Sequence, residues 1–226
     1  MVDRGILFST EMVRAILDGR KTQTRRVIKN PQRLESLMLK GEGPEWCPYG
    51  KVGGRLYIRE SHKLTKFKRD DEQWVRCEYR YEYEGDGSLR EYRWLDIPKP
   101  QRERLKRIKT WGKWRPPRFM YKFLARIYLE ITNIRVERVQ DISKEDAKAE
   151  GCNCSWLIKQ ANKAKHNKRR EIIYEKYGTP IVDTRTANEQ SEFAYLWDSI
   201  NAKRGFGWDK NPWVWVIEFK RLQEKI

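Results

Sequence analysis

The chain is short of the residues that build metal sites and disulfide scaffolds: its 226 residues include two histidines and four cysteines. Cys47, Cys77, Cys152 and Cys154 are too scattered for a disulfide framework. Cys152-Asn153-Cys154 has a single intervening residue, where metal knuckles have two or more. No metal and no other cofactor is therefore expected. Long apolar runs are also missing. The longest in the C-terminal third, Trp213 to Ile217, falls far short of the ~18 residues that cross a bilayer. Met1-Val2-Asp3-Arg4 lacks the charged-then-apolar start of a signal peptide, so a reducing cytoplasm is the expected compartment and no membrane is expected as a partner.

Acidic charge is the other deficit. Lys and Arg number 49 against 32 Asp and Glu, a formal net charge of +17. Solubility asks for a net charge of only about 2 to 8 in a small domain, so a surplus of this size points to a polyanionic partner. What is plentiful is aromatic: ten Trp, eleven Tyr and seven Phe supply bulky core material to a chain that is otherwise polar. The length fits a single domain over 1–226, with insertions at about 63–117 and 152–188.

Periodicity places the elements. Residues 5–9 read as a short strand, and Ser9 or Thr10 caps a helix whose stripe is Met12, Val13, Ile16 and Leu17, stopped by Gly19. Residues 20–26 read as extended. Residues 29–50 read as a loop, and Arg55 to Glu60 as a strand with Leu56 and Ile58 on one face. Residues 74–84 alternate, with Val75, Cys77, Tyr79, Tyr81 and Tyr83 on one side; Gly85-Asp86-Gly87 turns the chain into a return strand, Leu89 to Trp94. Ile127, Leu129 and Ile131 share a face of a long strand over 124–138. Ser143-Lys144-Glu145-Asp146 is a helix start, and 155–177 is a basic helical segment with a weak apolar pattern. Phe193, Leu196, Trp197 and Ile200 form a helical stripe, and Trp213, Trp215, Ile217 and Phe219 one face of a last strand. The expected class is α+β, a small curled sheet or barrel with helices at its ends.

Two segments carry chemistry. Residues 20–26 hold four cations, Arg20, Lys21, Arg25 and Arg26, with Thr22 and Thr24 between them. A lysine crowded by arginines has a depressed pKa, and a neutral lysine is a base for a nearby hydroxyl; the plainer reading is a strand that grips phosphate. Lys21 and Thr24 point to opposite faces of a regular strand, so Lys21 must sit ahead of it, or a bulge must re-aim one of them. The second segment, 99–118, has nine Lys/Arg against one acid, Glu103. With Arg25, its Arg104, Lys106, Arg107, Lys109, Lys113 and Arg115 are candidate nucleic-acid contacts. Trp111 and Trp114 are either stacking platforms for bases or core residues.

Ile6-Leu7-Phe8, Leu17-Asp18-Gly19-Arg20-Lys21-Thr22-Gln23-Thr24-Arg25-Arg26, Val52-Gly53-Gly54-Arg55-Leu56-Tyr57-Ile58-Arg59-Glu60 and Val214-Trp215-Val216-Ile217-Glu218-Phe219 resemble, in that order, the ASCH family. Trp46-Cys47-Pro48-Tyr49-Gly50, Leu196-Trp197-Asp198-Ser199-Ile200-Asn201 and Lys203-Arg204-Gly205-Phe206-Gly207-Trp208 are similar to its phage and prophage members. The resemblance covers roughly residues 4–62 and 118–220, and Gly54 stands where family members commonly have Asp. It implies a PUA-like β-barrel with a cleft that meets RNA, DNA or a modified base. In family members that are N4-acetylcytidine amidohydrolases, a Lys, a Thr three residues on and a following Arg act with a Glu from a later short helix; others are linked to RNA cleavage. Lys21, Thr24 and Arg26 match that motif, and Glu150 occupies the corresponding helix. The implied roles are Thr24 as nucleophile, Lys21 as its base, Glu150 as proton donor to the departing amine and Arg26 as electrostatic stabiliser. The expected function is removal of acyl groups from the N4 of cytosine nucleosides. The alternatives are a non-catalytic module that binds RNA, DNA or a modified base and, more weakly, a ribonuclease.

Overall fold

The computed structural model describes residues 3–32, 34, 46–79, 89–153 and 188–223. Along the chain run β1 (Arg4–Leu7), α1 (Thr10–Leu17), β2 (Gln23–Val27), β3 (Arg55–Arg59), β4 (His62–Arg69), β5 (Glu72–Tyr79), β6 (Leu89–Arg93) and α2 (Lys99–Lys106). Then come β7 (Trp114–Arg115), β8 (Tyr128–Arg138), α3 (Lys144–Ala149), α4 (Glu189–Asn201) and β9 (Trp213–Leu222). The class is α+β. The described strands form two sheets, and neither closes into a barrel. No helix among the described residues is long and apolar enough to cross a membrane.

The chain divides into two compact units. The first comprises Met1–Arg14, Arg55–Leu129 and Arg221–Ile226; the second comprises Ala15–Gly54 and Glu130–Lys220.

In the first unit β1 pairs in parallel with β3, Ile6 opposite Ile58. Gly5 is fixed by packing, since a Cβ there would meet the Tyr57 ring at 2.7 Å. A four-stranded sheet runs β6-β5-β4-β7. The expected hairpin of 74–94 is therefore one end of a larger sheet, with β6 at its edge. β4 was missed because Lys63, Lys66, Lys68 and Arg69 dilute its alternation. The signal was the pair Asp70-Asp71, both at positive φ (51° and 61°), in the tight turn to β5. Leu64, Val75 and Cys77 are buried from one face of the sheet, with Leu105, Ile108, Met120 and Leu124 packed in the same cluster. Leu105 anchors α2, a helix inside the basic stretch that its composition hid. Tyr81, Tyr83, the Gly85-Asp86-Gly87 turn, the basic segment 155–177 and Cys154 lie outside the described residues.

In the second unit β8, β9 and β2 lie side by side in that order. β2 is antiparallel to β9, with Thr24 opposite Ile217 and Arg26 opposite Trp215. The alternation of β8 breaks at Thr132 and Asn133, both exposed. β9 departs from a one-faced strand. Val214 and Val216 are buried as fully as Ile217 and Phe219, because α4 and α3 supply Phe193, Trp197 and Ala147 to the cluster around them. On α4 the stripe holds at Phe193 and Trp197, but Ile200 is exposed in the last turn. Asn188 caps α4 and Ser143 caps α3, each accepting a backbone N–H three residues on, at 2.8 Å and 3.0 Å.

Candidate functional site

The second unit carries a buried charge cluster built from β2, β8, β9 and α3. Lys21 lies two residues ahead of β2, where its backbone N–H donates to Ala15 and it forms an antiparallel bridge with Glu150. Its place ahead of the strand removes the clash with alternation that the sequence raised. Glu150 ends α3, its N–H donating to the Asp146 carbonyl at 2.8 Å. Gly151 follows at φ 95°, and a Cβ there would lie 3.1 Å from Ala15 Cβ and 3.3 Å from Lys21 Cβ. A glycine thus lets the end of α3 close on Lys21.

Lys21 Nζ donates to Glu150 Oε2 at 2.5 Å and to the Glu150 carbonyl at 2.8 Å. The two side chains are 0% and 4% exposed. Burial pushes the Lys21 pKa down, the Glu150 carboxylate and Cys152 oppose it, and Arg26 adds a smaller lowering; the net position is below the usual lysine range. Burial, rather than crowding by arginines, is thus the leading cause.

Arg25 holds the far side of the same carboxylate, Nη1 donating to Glu150 Oε1 at 3.2 Å. Its Nε donates to Glu137 Oε1 at 2.9 Å and its Nη2 to Asp146 Oδ2 at 2.8 Å, while Nη2 also contacts Glu137. Arg135 completes the cluster, with Nη2 on Asp146 at 2.6 Å, Nε on Glu137 at 3.1 Å and Nη1 on Glu218. Burial works against the charged form of Asp146, but Arg25 and Arg135 outweigh it and hold its carboxyl below the ordinary range. Arg25 was expected to contact nucleic acid. Its side chain is 0% exposed and shared among three carboxylates, which leaves no face for a phosphate. It holds Glu150 together with Glu137 and Asp146.

Thr24 is buried on β2, and among the described residues no hydrogen bond ties its hydroxyl to Lys21 or Glu150. Arg26 is half-buried. Desolvation lowers its pKa, Tyr49 and Glu150 raise it and Arg204 lowers it further, which puts all three side chains within electrostatic reach. Lys21 and Glu150 are therefore brought together, with Arg26 within electrostatic reach, whereas Thr24 shares only the strand. Glu137, Asp146, Arg135 and Glu218 were missed. Asp146 read as part of a helix start, and Glu218 fell outside the strand face of Trp213, Trp215, Ile217 and Phe219.

The other nucleic-acid candidates lie in the first unit. Arg104, Lys106, Arg107, Lys109 and Lys113 are exposed, and Lys106 pairs with Glu103 at 2.8 Å. Trp111 is half-buried against the sheet cluster, with Lys66 Nζ 4.5 Å from its ring centre; Trp114 is exposed and Arg115 half-buried. Cys47, Cys77 and Cys152 are buried thiols, and among the described residues no three His, Cys, Asp or Glu side chains converge to hold a metal. Comparison with known protein families, curated proteins and solved structures gives no match.

Proposed function

We propose that the chain is an ASCH-type protein of PUA-like ancestry that hydrolyses the acyl group from the N4 of cytosine nucleosides. One observation carries the reading: a fully buried Lys21–Glu150 pair at 2.5 Å, drawn from segments 129 residues apart and flanked by Arg25 and Arg26. A pair this close lets one proton pass from Lys21 to Glu150, which leaves a neutral amine and a carboxylic acid. Lys21 then takes the proton of Thr24 as its Oγ1 bonds to the acyl carbon, and Glu150 protonates N4 as the C–N bond breaks. Water next attacks the acyl-threonine, its proton returning to Glu150 and the Lys21 proton returning to Thr24. Arg26 stabilises the oxyanion. The test is release of cytidine from N4-acetylcytidine by wild type, Lys21→Ala, Thr24→Ala and Glu150→Gln. Turnover by wild type and a loss of about a hundredfold or more in each variant is expected. Full activity in Thr24→Ala would overturn the mechanism, and no turnover by folded wild type would overturn the activity on free nucleosides.

A second reading, a nucleic-acid-binding module, is favoured by the exposed cations of 99–118. Among the described residues Arg104, Arg107, Lys109, Lys113, Arg115 and Arg118 join no ion pair. Binding of oligonucleotides that weakens steeply with salt supports it, and no binding at low salt removes it.

A further inference from the structure

We propose that the β7 edge of the four-stranded sheet is a docking platform for single-stranded nucleic acid. The inference rests on the nucleic-acid-binding reading and assigns it a place and a substrate class. β7 is the outermost strand of its sheet, and it carries Trp114, 45% exposed. The short helical turn that follows carries Phe119, 47% exposed. Large rings are normally buried, so two exposed in neighbouring turns of chain mark a candidate binding surface.

Cations edge both rings. Lys63 Nζ, opposite Trp114 in the β4–β7 register, lies 5.5 Å from the indole centre. Arg118 Cζ lies 4.9 Å and Arg115 Cζ 5.9 Å from the Phe119 centre. Lys63 is paired with Glu78 at 2.5 Å, but Arg115 and Arg118 join no ion pair among the described residues. The surrounding stretch 99–118 contributes nine cations against Glu103 alone. Charge of one sign selects a polyanion, and the open rings select which one. A duplex keeps its base faces stacked inside, whereas a single strand offers each base face to an aromatic ring while its phosphates meet the cations. An acidic protein surface or an anionic membrane answers the charge and leaves the rings unexplained.

The experiment measures binding of labelled single-stranded and duplex oligonucleotides of equal length to the full chain by fluorescence anisotropy. Wild type is compared with the Trp114→Ala/Phe119→Ala double variant and with Lys109→Ala/Lys113→Ala. Both rings are exposed, so circular dichroism and thermal unfolding should be unchanged in the aromatic variant. Wild type should prefer the single strand. The aromatic variant should lose about tenfold or more of single-strand affinity and little duplex affinity, whereas the lysine variant should weaken on both. Single-strand binding that ignores Trp114 and Phe119, or a preference for duplex or heparin, overturns the platform and leaves nucleic-acid binding standing. No binding of any oligonucleotide at low salt overturns both.

Discussion

Arg25 and Arg115 are the same side chain in two electrical situations. In the second unit Arg25 is sealed from water and divided among Glu137, Asp146 and Glu150, with Arg135 and Lys21 joining the same carboxylates. In the first unit Arg115 sits beside open rings with no carboxylate of its own among the described residues, and its neighbours Lys109, Lys113 and Arg118 are equally unclaimed. Positive residues that cancel locally build a rigid interior site. Positive residues left uncancelled project a field. A net charge of +17 therefore says that a field exists but not where, and in the cation-rich run 20–26 Arg20, Lys21 and Arg25 are each paired with carboxylates.

The largest expected effect breaks the first half of this contrast. Arg25→Met leaves three carboxylates without their central cation and should lower the unfolding free energy by about 3–5 kcal/mol, read by urea denaturation at neutral pH. Arg115→Met should change it by less than about 1 kcal/mol. Similar losses in both would show that the two arginines are not in different regimes.

His62 gives a pH effect confined to the first unit. Burial pushes its pKa from 6.5 down to about 4; the Glu60 carbonyl, accepting from Nδ1–H at 3.1 Å, opposes this, and Arg115 adds to it. The unfolded chain binds this proton first, so stability is unaffected above 6.5 and is lost as pH falls from 6.5 to about 4. The loss is roughly 3 kcal/mol, and His62→Gln should flatten the unfolding profile across that window by a comparable amount.

Gly151→Ala and Gly112→Ala make a smaller, paired comparison. Both positions have positive φ, 95° and 74°, but only the first has neighbours waiting for a methyl group. Gly112→Ala should lose about 1 kcal/mol from backbone strain, and Gly151→Ala about 2–3 kcal/mol, with disturbance of the Lys21–Glu150 distance. Lys109→Ala and Lys113→Ala should leave stability within about 0.5 kcal/mol while each reduces the salt dependence of oligonucleotide binding by about one ion.

Much of the fold was legible where periodicity was strong. Leu56 and Ile58, Leu129 and Ile131, and Phe193 and Trp197 are buried as their spacing implied. β4 was not, because lysines on both of its faces erase the contrast on which period two depends, nor was α2, whose only buried residue is Leu105. In the site, Lys21 and Glu150 were legible through their resemblance to a known motif. The pairing of Arg25 was not. Its partners Glu137 and Asp146 are 112 and 121 residues away, and no local rule reports which carboxylate a strand will meet across a fold. The same ignorance of tertiary pairing made an interior arginine look like a phosphate contact.

The order of the strands has a consequence for how the molecule matures. β2, which carries Thr24 and Arg26, stands at the end of its sheet with β9 as its neighbour, and the two are separated by most of the chain. Closing so long a loop is entropically slow, so local helices such as α3 and α4 precede it. A nascent chain that already contains Lys21, Thr24 and Glu150 therefore has β2 waiting for a partner until synthesis reaches Trp213–Leu222. Assembly of the charge cluster thus becomes a late checkpoint of folding, so a chain stalled before β9 has the residues of the cluster without the cluster.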